Sequence, residues 1–175
     1  MHTCGTLARW SAVSGENKTA AQTDPEQMKA LLTGWLGELH RHAPDSIGDA
    51  LHFQVVECDP EKGSYCFSLD TEDWMQNAFG TLHGGIIATA LDQGMGMLAT
   101  CLMNGQGLTP SVQLNITYHR PLVAGERILL KIYVESVTRT LIHMRGEAVQ
   151  EAKPDKLCAT GTGIFYFKPF ATESR

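Results

Sequence analysis

The chain reads as an α+β domain, an antiparallel sheet wrapped around one long apolar helix, with an extra helix on its N-terminal side. Three observations carry this reading. From Gly84 to about Met103, Ile86, Ile87, Ala88, Ala90, Leu91, Met95, Met97, Leu98, Cys101 and Leu102 cover every face of a helix, so protein must surround it. The segments that follow alternate apolar and polar residues with the period of strands. A separate stretch from Met28 to Leu39 repeats its apolar residues at helical spacing.

Taken in order, residues 1–23 are small, polar and aperiodic, and are expected to form a flexible extension. Asp24-Pro25-Glu26 has the makings of a helix start: an N-cap, a proline in the first turn and an acid near the positive dipole end. Met28, Leu31, Leu32, Trp35, Leu36 and Leu39 extend that helix to about His40, and Ala43-Pro44-Asp45 stops it, giving a helical segment over 24–44. Strands are expected at His52–Cys58 and Ser64–Leu69, joined as a hairpin by Asp59-Pro60-Glu61-Lys62-Gly63. Asn104-Gly105-Gln106-Gly107 closes the apolar helix. Val112, Leu114, Ile116 and Tyr118 then alternate with Ser111, Gln113, Asn115 and Thr117, which puts Ser111 and Asn115 on the polar side of a strand. Beyond Pro121 and Gly125, Ile128, Leu130, Ile132 and Val134 mark a long strand, linked through Thr138-Arg139-Thr140 to Leu141–Gln150. A turn at Lys153-Pro154-Asp155 precedes the last strand, Leu157–Phe167. No repeat and no second domain is visible; the sheet and its helix occupy 45–168, with a tail at 169–175.

With 175 residues, 43% of them hydrophobic, the chain can bury one sizeable core. A net charge of -5 argues against a sequence-independent nucleic-acid binder, but a few local cations could still hold a phosphate-bearing ligand. Five widely spaced cysteines without a C-x-x-C pair argue against a disulfide framework or zinc site and fit a reducing cytoplasm. No apolar run of transmembrane length and no signal-peptide core stand out, so a soluble cytoplasmic protein with no membrane partner is expected. His40 and His42 lack the further spacing a metal site needs.

The stretch Asn77-Ala78-Phe79-Gly80-Thr81-Leu82-His83-Gly84-Gly85, continuing to Ala88-Thr89-Ala90-Leu91-Asp92, resembles hotdog-fold acyl-CoA thioesterases, in the subgroup typified by the phenylacetate-pathway thioesterase. Ser111-Val112-Gln113-Leu114-Asn115-Ile116-Thr117-Tyr118, with Pro121 beyond, resembles the next strand of that family, and the likeness covers roughly 45–167. The resemblance implies hydrolysis of an acyl-CoA thioester to free acid and CoA, without a cofactor, by a homodimer or a homotetramer made of two dimers. It implies that Asp92 is nucleophile or general base, that Asn77 positions substrate or water, and that Gly84 offers its backbone N–H to the thioester oxygen. His83 would help bind the carbonyl or hold the turn, with Gly85 beside it. Ser111 would lie near the reacting group, and Tyr118, Arg120 and the segment Ser136, Val137, Thr138, Arg139, Thr140 and Leu141 would follow the CoA path.

The residues support that chemistry on their own. Thioester hydrolysis needs stabilisation of an oxyanion and a group that activates water or attacks directly. A helix head with unpaired N–H groups and glycines lets a carbonyl come close to the backbone. Asp92 is the one charged residue on an apolar helix, where an unpaired carboxylate is costly. Gly84 and Asp92, eight residues apart, lie about 12 Å apart along a helix. One helix hardly aims both at a single carbonyl; two antiparallel helices across a dimer axis could. Two other readings compete: a hydratase or dehydratase acting on acyl thioesters, and a non-catalytic domain that binds acyl-CoA as a signal.

Overall fold

The computed structural model describes residues 24–171; the expected extension at 1–23 lies outside them. Helix α1, Pro25–His42, begins as its sequence dictates, with the Asp24 carboxylate accepting the Glu26 N–H at 2.9 Å. It runs two residues past His40, because Ala43 N–H still reaches Leu39 O. A four-residue helix α2, Ile47–Ala50, follows unannounced by any periodicity, capped by the Ser46 hydroxyl. His52 takes a left-handed φ of 46°, so β1 starts at Gln54 instead of His52 and ends at Asp59. Strand β2, Ser64–Asp70, completes the hairpin, whose turn needs the positive φ of Gly63.

After a 3-10 turn at Asp73–Met75 comes α3, Gly84–Leu102, then β3 (Gly107–Leu108), β4 (Ser111–Tyr118), β5 (Arg127–Val137), β6 (Leu141–Gln150), β7 (Leu157–Tyr166) and β8 (Lys168–Pro169). Six strands form one antiparallel sheet in the order β1-β2-β5-β6-β7-β4. The expected last strand breaks at Phe167, and its end pairs instead with β3, Leu108 opposite Lys168.

The sheet curls around α3, which packs on β4, β5, β6, β7 and α1. By length and composition alone α3 is apolar enough to cross a membrane, contrary to the expectation that no such run exists, but its setting here is that of a core helix. Ile87, Ala90, Leu91, Gly94, Met95 and Leu98 are buried, and Leu91 sits over Gly146 of β6 and Gly161 of β7, which face each other in register. A Cβ at Gly146 would meet Leu91 at 2.7 Å, and one at Gly161 would meet it at 3.2 Å. One chain does not cover the whole helix: Ile86, Ala88, Asp92, Gln93 and Met97 remain half-buried.

The two sheet edges differ. Along β1 lies α1, with the Lys29 ammonium donating to Val56 O at the extra residue of a bulge. The outer edge of β4 is left open, with Val112 63% and Tyr118 52% exposed.

Burial pushes the Cys101 thiol up to about 12 and the Cys58 thiol up to about 11. Both groups are also closed off from solvent. At pH 8 an alkylating reagent should leave the Cys58 and Cys101 peptides unlabelled in the native protein and label them fully in denaturant, as read by peptide mass spectrometry.

Candidate active site

The head of α3 is built by a tight loop. Asn77 Oδ1 accepts the N–H groups of Phe79 and Thr81, and its Nδ2 donates to Thr81 Oγ1 at 2.8 Å. Gly80 supplies the positive φ of 74° that turns the chain back, and Asn77 N–H closes on Thr81 O. Met75 O and Leu122 O then hold the N–H groups of His83 and Leu82. His83 is the N-cap: its Nδ1 accepts the Gly85 N–H at 2.9 Å, while Ile86 and Ile87 donate to His83 O. Of the first-turn donors, only Gly84 N–H lacks an acceptor among the described residues. It opens into a groove lined by Asn77, Tyr118, Arg120 and Pro121. Asn77 keeps one amide hydrogen uncommitted there.

Two turns further on, Asp92 is half-buried at the rim of a separate cavity of about 280 Å³. Ser111 Oγ donates to its Oδ1 at 2.7 Å, leaving Oδ2 without a partner among the described residues. Strict alternation put Ser111 on the polar side of its strand. The structure corrects this: Ser111 pairs with Phe165 and Gln113 with Ile164, so Val112 is an extra residue, and the bulge turns Ser111 toward the helix. Sequence reasoning missed most of the cavity wall, namely Trp35 and Leu39 of α1, Gln93, Gly96, Thr100, Thr109, Pro110 and Phe165. Met97 lines it too, whereas Met95 is buried under Gly163. No local pattern ties α1 to Asp92; the only signal was an apolar helix face with a tryptophan in it.

The remaining candidates divide between the two ends of β4. Tyr118 donates its hydroxyl to Gly84 O at 2.8 Å and packs so closely that a Cβ on Gly84 would meet its ring at 3.2 Å. Tyr118 therefore braces the helix head. Arg120 lies at the same end, with its guanidinium donating to Leu157 O. Gly85 has its N–H taken by His83. Ser136, Val137, Thr138, Arg139, Thr140 and Leu141 form the β5–β6 hairpin tip, closed by Thr138 Oγ1, which accepts the Leu141 N–H. The register Val137–Ile142–Phe165–Ser111 places that tip at the Ser111 end. Arg139 is exposed there, without an ion-pair partner among the described residues. Within one chain, then, Asp92, Ser111 and the hairpin form one group, and Asn77, His83, Gly84, Tyr118 and Arg120 another. His40 and His42 belong to neither; they face Asp49 and Glu38.

Residues 79–156 match the model of the thioesterase superfamily. Human acyl-coenzyme A thioesterase 13 is 34% identical over 99 residues, which span 57% of this chain and 69% of that relative. Among solved structures, zebrafish thioesterase superfamily member 2 superposes with a TM-score of 0.63 at 27% identity, over 82% of this chain and 97% of the other. The PaaI protein of the E. coli phenylacetic acid degradation operon shares the fold, with a TM-score of 0.62 at 16% identity over 78% of this chain and 96% of that one.

The cap can be tested apart from any chemistry. His83→Ala leaves the Gly85 N–H unmet and should cost about 1 kcal/mol in denaturant melts, while His83→Asn, which also caps, should recover most of it.

Proposed function

The chain belongs to the thioesterase superfamily, and from that premise we propose that it hydrolyses an acyl-CoA thioester at a site shared by two protomers. One observation supports sharing above all: β4 is tethered to Asp92 at one end, through Ser111, and to the head of α3 at the other, through Tyr118. Pairing two open β4 edges antiparallel about a two-fold axis lays the Ser111 end of one protomer beside the Tyr118 end of its partner. Asp92 of one chain then faces the Gly84 N–H and the spare Asn77 amide of the other, and the 12 Å gap within a chain (about eight residues of helix) ceases to matter. The same pairing covers Val112 and the half-buried side of α3.

In this site the thioester oxygen accepts the Gly84 N–H, and Asn77 orients a water. The free Asp92 oxygen takes a proton from that water as its oxygen bonds to the carbonyl carbon, while the Ser111 hydroxyl holds the other carboxylate oxygen. The oxyanion that forms is stabilised by the helix-head N–H, a contact worth about 3 kcal/mol in comparable sites. Collapse breaks the C–S bond, and the departing CoA sulfur takes the proton back from Asp92. Arg139 at the hairpin tip and Arg120 at the far end of β4 come to one side of the paired sheet, where guanidinium groups suit the phosphates of CoA. Free thiols at Cys58, Cys66, Cys101 and Cys158 fit the reducing cytoplasm.

Asp92→Asn should lower kcat on the best acyl-CoA by about 10²–10⁴-fold with the fold intact, and Asn77→Ala by less. The two variants damage opposite halves of a shared site. Refolding them together in equal amounts should therefore restore about a quarter of wild-type activity, because about half the dimers are mixed and each carries one whole site. A mixture no more active than its components would place the site within one chain.

Arg139→Ala should raise KM for acyl-CoA about tenfold and leave kcat nearly unchanged. A short thioester without the nucleotide should not distinguish that variant from wild type in the same thiol-release assay.

A further inference from the structure

Two cavities share part of their walls. The first, of about 280 Å³, is lined in part by Asp92; the second, of about 190 Å³, by Leu108 and Phe170 among others. Trp35, Thr100 and Thr109 line both, so these three side chains are the partition between them. Trp35 is 3% exposed and comes from α1, which lies outside the 79–156 stretch that matches the family model. The Thr100 and Thr109 hydroxyls bond to each other at 2.6 Å, and Thr100 also reaches Gly96 O. Both hydroxyl hydrogens are thus committed, so Thr100 and Thr109 offer no free donor to a carbonyl on an acyl chain.

We propose that Trp35 is the length gauge for the acyl group. The acyl chain leaves the thioester at Asp92, runs past Gly96 and Met97, and ends against the indole; the space beyond stays out of reach. The acyl class this fits is an unsubstituted short-to-medium aliphatic chain or a single ring. The proposal rests on the hydrolysis reading above and specifies its substrate.

The test is a series of saturated acyl-CoAs of increasing length, assayed for kcat/KM and, as non-hydrolysable thioether analogues, for binding by calorimetry. Each methylene that gains an apolar wall is worth about fourfold in affinity. In wild type, affinity should rise with length and then fall where the chain meets Trp35. Trp35→Leu, which keeps an apolar side chain on α1, should move that fall to longer chains and raise the long-to-short ratio at least about tenfold. Gly96→Ala tests the gauge independently of α1 packing. A Cβ there meets only Phe165, at 3.4 Å, and alanine suits a helix. It should shorten the preferred chain. If neither variant shifts the length profile in hydrolysis or in analogue binding, Trp35 is not the gauge. If no thioester is hydrolysed but analogue binding shifts as expected, the gauge stands and the hydrolysis reading falls.

Discussion

Leu91 rests in a notch made by two glycines that face each other across β6 and β7, and the geometry of the site descends from that seat. A helix turns by about 100° per residue, so fixing Leu91 against the sheet fixes where Asp92, the next residue, points. Side chains at Gly146 or Gly161 would push the helix away or roll it, since each Cβ would stand within contact range of Leu91. Gly94 does the same on the opposing face, where Ile132 closes to 2.8 Å of a notional Cβ. Close approach here has little to do with backbone freedom. It removes volume where a knob must enter, and a packed interior resists even small changes of that kind.

From this seat the polar groups of α3 follow in two sets, each held by one end of β4. Ser111 reaches Asp92, and Tyr118 reaches the carbonyl of Gly84. The strand works as a strut between the Asp92 carboxylate and the helix head. The strut is also the edge strand that α1 does not protect. A conserved economy of parts is not needed to explain this; the open backbone ladder and the half-covered helix both call for the same neighbour.

Much of the fold was legible in the sequence because its strongest signals are long. The apolar run from Gly84 to Leu102 is bounded by Gly-Gly and Asn-Gly, and five strands alternate over most of their length. What escaped notice is short or relational. Ile47–Ala50 spans too few residues for periodicity, and Gly107–Leu108 is a strand only because Lys168 and Pro169 lie opposite it. The Asn77–Asp92 spacing pointed to the carboxylate and the helix head, yet the roles divide more finely than the motif. His83 caps, Gly85 is capped, and among the described residues Gly84 alone keeps a free donor in the first turn. The contribution of α1 to the Asp92 cavity was invisible, since nothing local links Trp35 to a carboxylate far along the chain.

The extra residue at Val112 gives β4 two reading frames. From Gln113 onward the strand alternates in one phase, and before Val112 it alternates in the other. Pairing Val112 opposite Phe165, as an unbulged strand would, leaves Leu114, Ile116 and Tyr118 where they are and swings Ser111 to the solvent face, off Asp92. Every side chain named at the site would still be present in such a chain, and a motif search would still find it. At this position it is the register of the residues, more than their identity, that decides whether Ser111 holds the Asp92 carboxylate.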